Sequence, residues 1–326
     1  MNPREKIWLE KIINNSYKNT TGIVILKNGK TLYENYFNGY TAAEAVHVAS
    51  VTKSIFSALI GIAIENGYIK SIDQKVLDFF PDYTIHSNEN TIQNVTIKHM
   101  LTMTAPYKYK TEPYEEFFAS ENWINAALDL LGGKGRIGQF TYSAIIGTHI
   151  LAGILVKATG QTVFDFAAEK LFSPLDIQVA HNVVLHNKEE QLAFFTDKKV
   201  SGWVSDPQGI NTAGWGLTLT PMDMAKIGQL YLEGGIWKGR QIIPAGWISE
   251  STKEHSSWDK LSYGYMWWII DNREQIYAAM GDGGNVIYVN TKKKMVVSIA
   301  SFFIPRAKDR IKLIQEYIEP MFDNCV

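Results

Sequence analysis

Residues 50–65 read as a helix that is apolar on nearly every face, through Val51, Ile55, Phe56, Leu59, Ile60, Ile62 and Ile64. A surface helix carries one apolar stripe, so a helix apolar all round must be wrapped by the rest of the chain. Such an element forces a layered fold closed around it. Asn66-Gly67 provides its stop, since glycine commonly follows a helix end. Ser50 and Lys53 stand among the polar residues at its head, where burial begins.

On either side of this helix the pattern changes. Residues 4–15 have helical spacing of Ile7, Leu9, Ile12 and Ile13, and two β-rich runs, 22–26 and 31–37, flank Lys27-Asn28-Gly29-Lys30. Asn-Gly between such runs is a strong hairpin signal. The middle of the chain, 69–204, is mostly helical, with helices expected over 96–103, 121–131, 145–159 and 163–171. Helices over 221–233 and 245–251 lead to β-rich runs at 275–280, 286–290 and 295–303, then to a final helix over about 306–322. Strands at both ends with helices between predict an α+β fold, an antiparallel sheet flanked by helices plus an inserted, mostly helical lobe. Residues 1–68 with 205–326 would form the α/β lobe and 69–204 the helical one, with a cleft between them.

Length and composition agree with that picture. At 326 residues the chain has room for two lobes, and 46% hydrophobic against 20% charged residues is ordinary globular composition. A net charge of −1 offers no basic excess for phosphate, which argues against a nucleic-acid partner. Cys325 is the single cysteine; it excludes an intramolecular disulfide and a cysteine-based metal site and reads as an inert end thiol. The first eleven residues alternate charged with apolar side chains and resemble neither signal peptide nor anchor, so a cytoplasmic chain without a membrane segment is expected. Seven histidines (47, 86, 99, 149, 181, 186, 255) are dispersed without a His-Glu-x-x-His pair, and no metal or cofactor is expected. Gly132-Gly-Lys-Gly135 lacks P-loop spacing, and no Gly-x-Ser-x-Gly elbow is present. His47 precedes Ser50 on the wrong side of the turn for a base, and Trp267-Trp268 reads as core more than as a ligand platform.

Positions i and i+3 share a helix face, with Cβ atoms about 5–6 Å apart. Lys53 therefore lies beside Ser50 at the start of an apolar helix. Burial disfavours an ammonium, and a neutral lysine in hydrogen-bond reach can accept a serine proton. The Ser50 amide, at a helix N-terminus, could stabilise an oxyanion. Ser-x-x-Lys is nevertheless a loose pattern: Ser50 could be only an N-cap, with Lys53 snorkelling along the first turn.

The segment Val48-Ala-Ser50-Val-Thr-Lys53-Ser-Ile-Phe-Ser-Ala-Leu-Ile-Gly-Ile-Ala resembles the nucleophile helix of the serine β-lactamase and penicillin-binding-protein superfamily. It is most similar to the branch holding class C β-lactamases, D-Ala-D-Ala carboxypeptidases, family VIII esterases and nylon-oligomer hydrolases. Further segments are similar in order: Phe80-Pro81-Asp82, residues 96–104, Gly160-Gln-Thr, Leu171-Phe-Ser-Pro-Leu175, residues 213–220 with 222–228, and Tyr263-Gly-Tyr-Met-Trp-Trp268. The resemblance implies a Ser50 nucleophile, a Lys53 base and Tyr142 of Phe140-Thr-Tyr142-Ser143-Ala144 as a second proton carrier. Alone, Tyr142 would be a core or interface tyrosine, and Ala144 stands where the family has an asparagine.

The family's third motif corresponds to Gly281-Asp282-Gly283-Gly284-Asn285. Its glycines would admit the substrate close to the strand, which gives Asp282, Gly283 and Gly284 as substrate-binding residues. The Asn285 amide would join that of Ser50 as the oxyanion hole. A Gly-rich turn without a chemical role is the alternative. Asp282 replaces the usual Lys or His and would repel a substrate carboxylate by about 1–3 kcal/mol if partly buried. The expectation is a serine hydrolase acting through a Ser50 acyl-enzyme on a small-molecule ester or amide, neutral or amine-bearing, with β-lactamase action doubtful. A penicillin-binding-protein-like sensor with little turnover is the competing reading, because Ala144 and Asp282 depart from two motifs of three. Oligomeric state is open.

Overall fold

The computed structural model describes residues 3–85, 90–180, 182–185, 188–196 and 201–323. Cys325, His86, His181 and His186 lie outside the described residues. An eight-stranded antiparallel sheet runs in the order Lys30–Tyr36, Thr20–Lys27, Met295–Ser301, Asn285–Asn290, Ile276–Gly281, Trp268–Asp271, Leu261–Tyr263, Ser256–Trp258. Its first five strands come from the two ends of the chain, as the β-rich runs predict. The hairpin turn is Asn28-Gly29, with positive φ of 50° and 72°, which is the backbone that Asn-Gly favours.

Alternation along the strands divides the core. Ile23, Ile25, Val297 and Ile299 face the helix Pro3–Ser16 and the C-terminal segment that opens with Arg310–Leu313. Val24, Ala279, Ile287 and Val296 face the helices Val51–Glu65 and Pro221–Leu232. The same apolar cluster continues without a break through Ile97–Leu101, Trp123–Leu130 and Ile146–Thr159.

Every residue from Val51 to Ala63 is buried, as an all-round apolar helix requires. Each large side chain there contributes about 1.5–3 kcal/mol by leaving water. The Trp247 ring packs directly on the bare backbone of Gly61, where a Cβ would overlap it. The expected helix over 163–171 is shorter: Val163–Ala167 passes into a π-helical turn, Ala168–Phe172. The C-terminal helix begins at Arg310 rather than near 306, and Asp309 caps it by accepting from the amides of Ile311 and Lys312 at 2.8 and 3.2 Å. Among the described residues no single helix is long and apolar enough to cross a membrane.

Candidate active site

Ser50 is the N-cap of Val51–Glu65, and its side chain makes no capping hydrogen bond. The hydroxyl is turned instead toward Lys53, whose Nζ lies 2.9 Å from Ser50 Oγ. Ala49, just before it, has a φ of 50°, a left-handed conformation that costs a non-glycine residue about 1–2 kcal/mol. The kink puts Ser50 at the sharp junction between the short strand Val46–His47 and the helix.

Lys53 is 1% exposed, and two main-chain carbonyls hold it, Ala144 O at 2.6 Å and Gly214 O at 2.9 Å. An ammonium has three N–H donors, and the three neighbours match them. A neutral amine keeps both carbonyl bonds and turns its lone pair on the Ser50 hydroxyl. The geometry serves both states. Gly214 makes this possible: a Cβ there would lie 2.6 Å from Ala144 O, so only glycine lets the two loops converge on Lys53.

Tyr142 precedes the helix Ile146–Thr159 and is exposed, with its ring centroid 5.3 Å from Lys53 Nζ. Its ring stacks on Trp268 with centroids 6.0 Å apart and planes 27° apart. Ser50, Tyr142, Trp258, Leu261, Trp268, Met280, Gly281 and Asp282 line one cavity of about 480 Å³, within the range of small-molecule sites. The structure thus brings Ser50, Lys53, Tyr142 and Asp282 together. A larger cleft of about 640 Å³, between Phe80–Thr84 and the helices Trp123–Leu130 and Ile146–Thr159, holds none of them.

The glycine motif sits one step away from its expected register. The strand runs on to Gly281, which pairs with Asn285, and the turn occupies residues 282–284. Gly281 is the residue that approaches Ser50: a Cβ on it would lie 3.1 Å from Ser50 N and would overlap Val48 O. Gly283 and Gly284 face away, toward Phe303 and the Arg310 guanidinium, and do not line the Ser50 cavity. Asn285 is buried on the far strand of the hairpin, its side chain donating to His47 O and Asp282 O and accepting from Ser301 N at 2.9 Å. Its side chain therefore holds the turn in place, its backbone pairs with Gly281 across the hairpin, and it is not among the residues that line the Ser50 cavity, where its amide was expected to serve as an oxyanion donor.

His47 is a buried acceptor, taking a hydrogen bond at 3.0 Å from the Gly216 amide on its Nε2. Burial pushes its imidazole down to about 3, so it stays neutral. The tryptophan pair splits its roles. Trp267 is fully buried, whereas Trp268 is half-buried and walls the cavity. Sequence reasoning missed Trp258 and Leu261, because their strands are three residues long and too short for a period.

The family model that matches this chain is that of the β-lactamases, over residues 12–314. The chain belongs to the β-lactamase family. Within it, the sequence is 21% identical over 301 residues to a 6-aminohexanoate-dimer hydrolase of Paenarthrobacter ureafaciens, covering 85% of this chain and 71% of that one. Among solved β-lactamase-fold structures it is similar to EstCE1, a hydrolase with promiscuous acyltransferase activity (TM-score 0.72, 14% identity, 97% of each chain). It is likewise similar to a penicillin-binding protein from Bacillus halodurans (TM-score 0.70, 16% identity, 94% of this chain and 99% of that one). The β-lactamase-type fold is thereby established, and the curated relative that the chain resembles is a hydrolase.

Proposed function

We propose that the protein is a serine hydrolase that cleaves small esters or amides through an acyl-enzyme on Ser50. The carrying observation is Lys53, buried, fixed by two carbonyls and 2.9 Å from Ser50 Oγ on the floor of a substrate-sized cavity. Ser50 Oγ attacks the acyl carbon while its proton passes to the Lys53 amine. Tyr142, beside Lys53, relays that proton to the departing alcohol or amine as the carbon–heteroatom bond breaks. Water then repeats the sequence in reverse and frees the acid.

The oxyanion would be met by the amides of Ser50 and Asp282. The Gly281 carbonyl accepts from Gly284 N at 3.2 Å, inside the hairpin. In a trans peptide the next N–H points the opposite way, so that of Asp282 is aimed out of the hairpin, and Gly281 and Asp282 both line the cavity, which supports this reading. Intact mass after treatment with a fluorophosphonate tests the reading. A single phosphonyl adduct on the wild type, with no penicilloyl adduct from a penicillin, is the expected result. An unmodified chain after prolonged exposure would favour the binding protein with little turnover.

The cavity wall sets the substrate preference. Tyr142, Trp258 and Trp268 present aromatic faces, and Asp282 is the one carboxylate among the residues that line it. Such a surface favours neutral or cationic groups over carboxylates. Asp282 is exposed, so water screens it and its effect is at most about 1 kcal/mol, below the sequence-based figure. Asp282→Asn should accordingly shift the kcat/KM ratio of a choline ester to a carboxylate-bearing ester of equal length by about fivefold toward the anion. An unchanged ratio would mean that Asp282 does not sense the substrate.

A further inference from the structure

The loop that carries Tyr142 and the Ala144 carbonyl is held by a carboxylate from another part of the chain. Glu112, 9% exposed, lies just before the helix Tyr114–Phe118. Its Oε1 accepts from Ser143 Oγ at 2.5 Å, Ile146 N at 3.1 Å and Tyr109 OH at 3.2 Å, and its Oε2 from Ile145 N at 3.2 Å. Burial, with the Glu112 and Asp282 carboxylates nearby, raises the Tyr114 phenol above its ordinary range. Ser143 Oγ in turn accepts from Gly147 N at 2.8 Å. Ile145, the N-cap of Ile146–Thr159, has no side chain able to cap. Glu112 supplies that cap from more than thirty residues away, with its negative charge at the positive end of a helix.

The consequence reaches the nucleophile. Residues 143, 145 and 146 are bound to Glu112, and residue 144, between them, offers the carbonyl that holds Lys53 at 2.6 Å. Residue 142, the adjacent position on the other side, is the tyrosine over Lys53 Nζ. We infer that Glu112 is a positioning residue for catalysis: through Ser143 and the Ile145–Ile146 amides it fixes Tyr142 and the Ala144 carbonyl, and so Lys53 against Ser50. The inference rests on the acyl-enzyme reading above. Glu112 does not line the cavity that holds Ser50, so its effect falls on the chemical step and not on substrate binding.

Glu112→Gln keeps the size of the side chain but turns an amide group, itself a donor, toward a ring of donors. A displacement of about 1 Å in a catalytic group can cost about a hundredfold in rate. In steady-state hydrolysis of p-nitrophenyl acetate, Glu112→Gln should lower kcat about 10- to 100-fold, with KM within about threefold of wild type. The rate of Ser50 phosphonylation should fall in parallel. Ser143→Ala removes one of the same hydrogen bonds and should lower kcat about three- to tenfold; it serves alone if Glu112→Gln does not fold. Folded Glu112→Gln with kcat within twofold of wild type would overturn the inference. So would a kcat loss matched by an equal loss of titratable Ser50, because that is the signature of a fold defect. A wild type that is never phosphonylated would instead remove the acyl-enzyme reading itself.

Discussion

Ser50→Ala is expected to lower kcat/KM for p-nitrophenyl esters by at least about a thousandfold and to abolish the fluorophosphonate adduct, while the protein stays folded. The size of the loss follows from removing the atom that forms the covalent intermediate, which leaves only binding and the oxyanion donors. The silence in stability is the sharper part. An N-cap serine usually contributes about 1 kcal/mol by accepting from the first helical turn, but the Ser50 side chain makes no such bond. Its one described side-chain partner is Lys53. A thermal midpoint within a few degrees of wild type, together with lost turnover, identifies a residue kept for chemistry and not for the helix. Wild-type rates in Ser50→Ala would end the acyl-enzyme reading.

The second large effect belongs to Lys53. Lys53→Met fills nearly the same volume but has neither proton acceptor nor donor, and should lower kcat/KM by about 10²- to 10⁴-fold, the usual span for a lost general base. Unlike Ser50→Ala it should also destabilise the fold. It leaves the Ala144 and Gly214 carbonyls, now bonded to Nζ, without that partner, at about 1–3 kcal/mol for each buried acceptor. Removing a desolvated polar head group offsets part of this, so a net loss of about 1–3 kcal/mol in denaturant titration is expected. Lys53→Arg provides the control: it restores a cation and donors but cannot deprotonate, so it should remain as inactive as Lys53→Met. An active Lys53→Arg would show that a positive charge, not a base, is what the site needs.

The parts of this site that were legible in the sequence are those that sit on one regular element. Ser50 and Lys53 are three residues apart on a helix, so their contact follows from the helical repeat alone. Five of the eight strands were legible for a related reason, since long buried strands such as Thr20–Lys27 leave β-rich runs, whereas Ser256–Trp258, Leu261–Tyr263 and Trp268–Asp271 are too short to do so. What the sequence hid is made by main-chain atoms or by distant loops. The two carbonyls that hold Lys53 belong to Ala144 and Gly214, and a carbonyl has no residue signature. Glu112 looks like any loop carboxylate until tertiary structure brings it to a helix end thirty-four residues later. The offset at 281–285 had a different cause: three glycines in five residues leave the start of the turn undetermined, and only the pairing of Gly281 with Asn285 fixes it.

Ser50 and Lys53 lie at the head of a helix sealed by the core, whereas Trp258 and Leu261 lie on the two outermost strands at the far end of the sheet, next to the strand of Trp268. Reactivity and selectivity are therefore separate mutational targets. Exchanges at Trp258 and Leu261 should leave the contact of Ser50 with Lys53 in place, whereas Trp268, stacked on Tyr142, couples the edge to the site and its exchanges should not combine additively with changes at Tyr142. Directed evolution for a new ester should find its improvements along that edge.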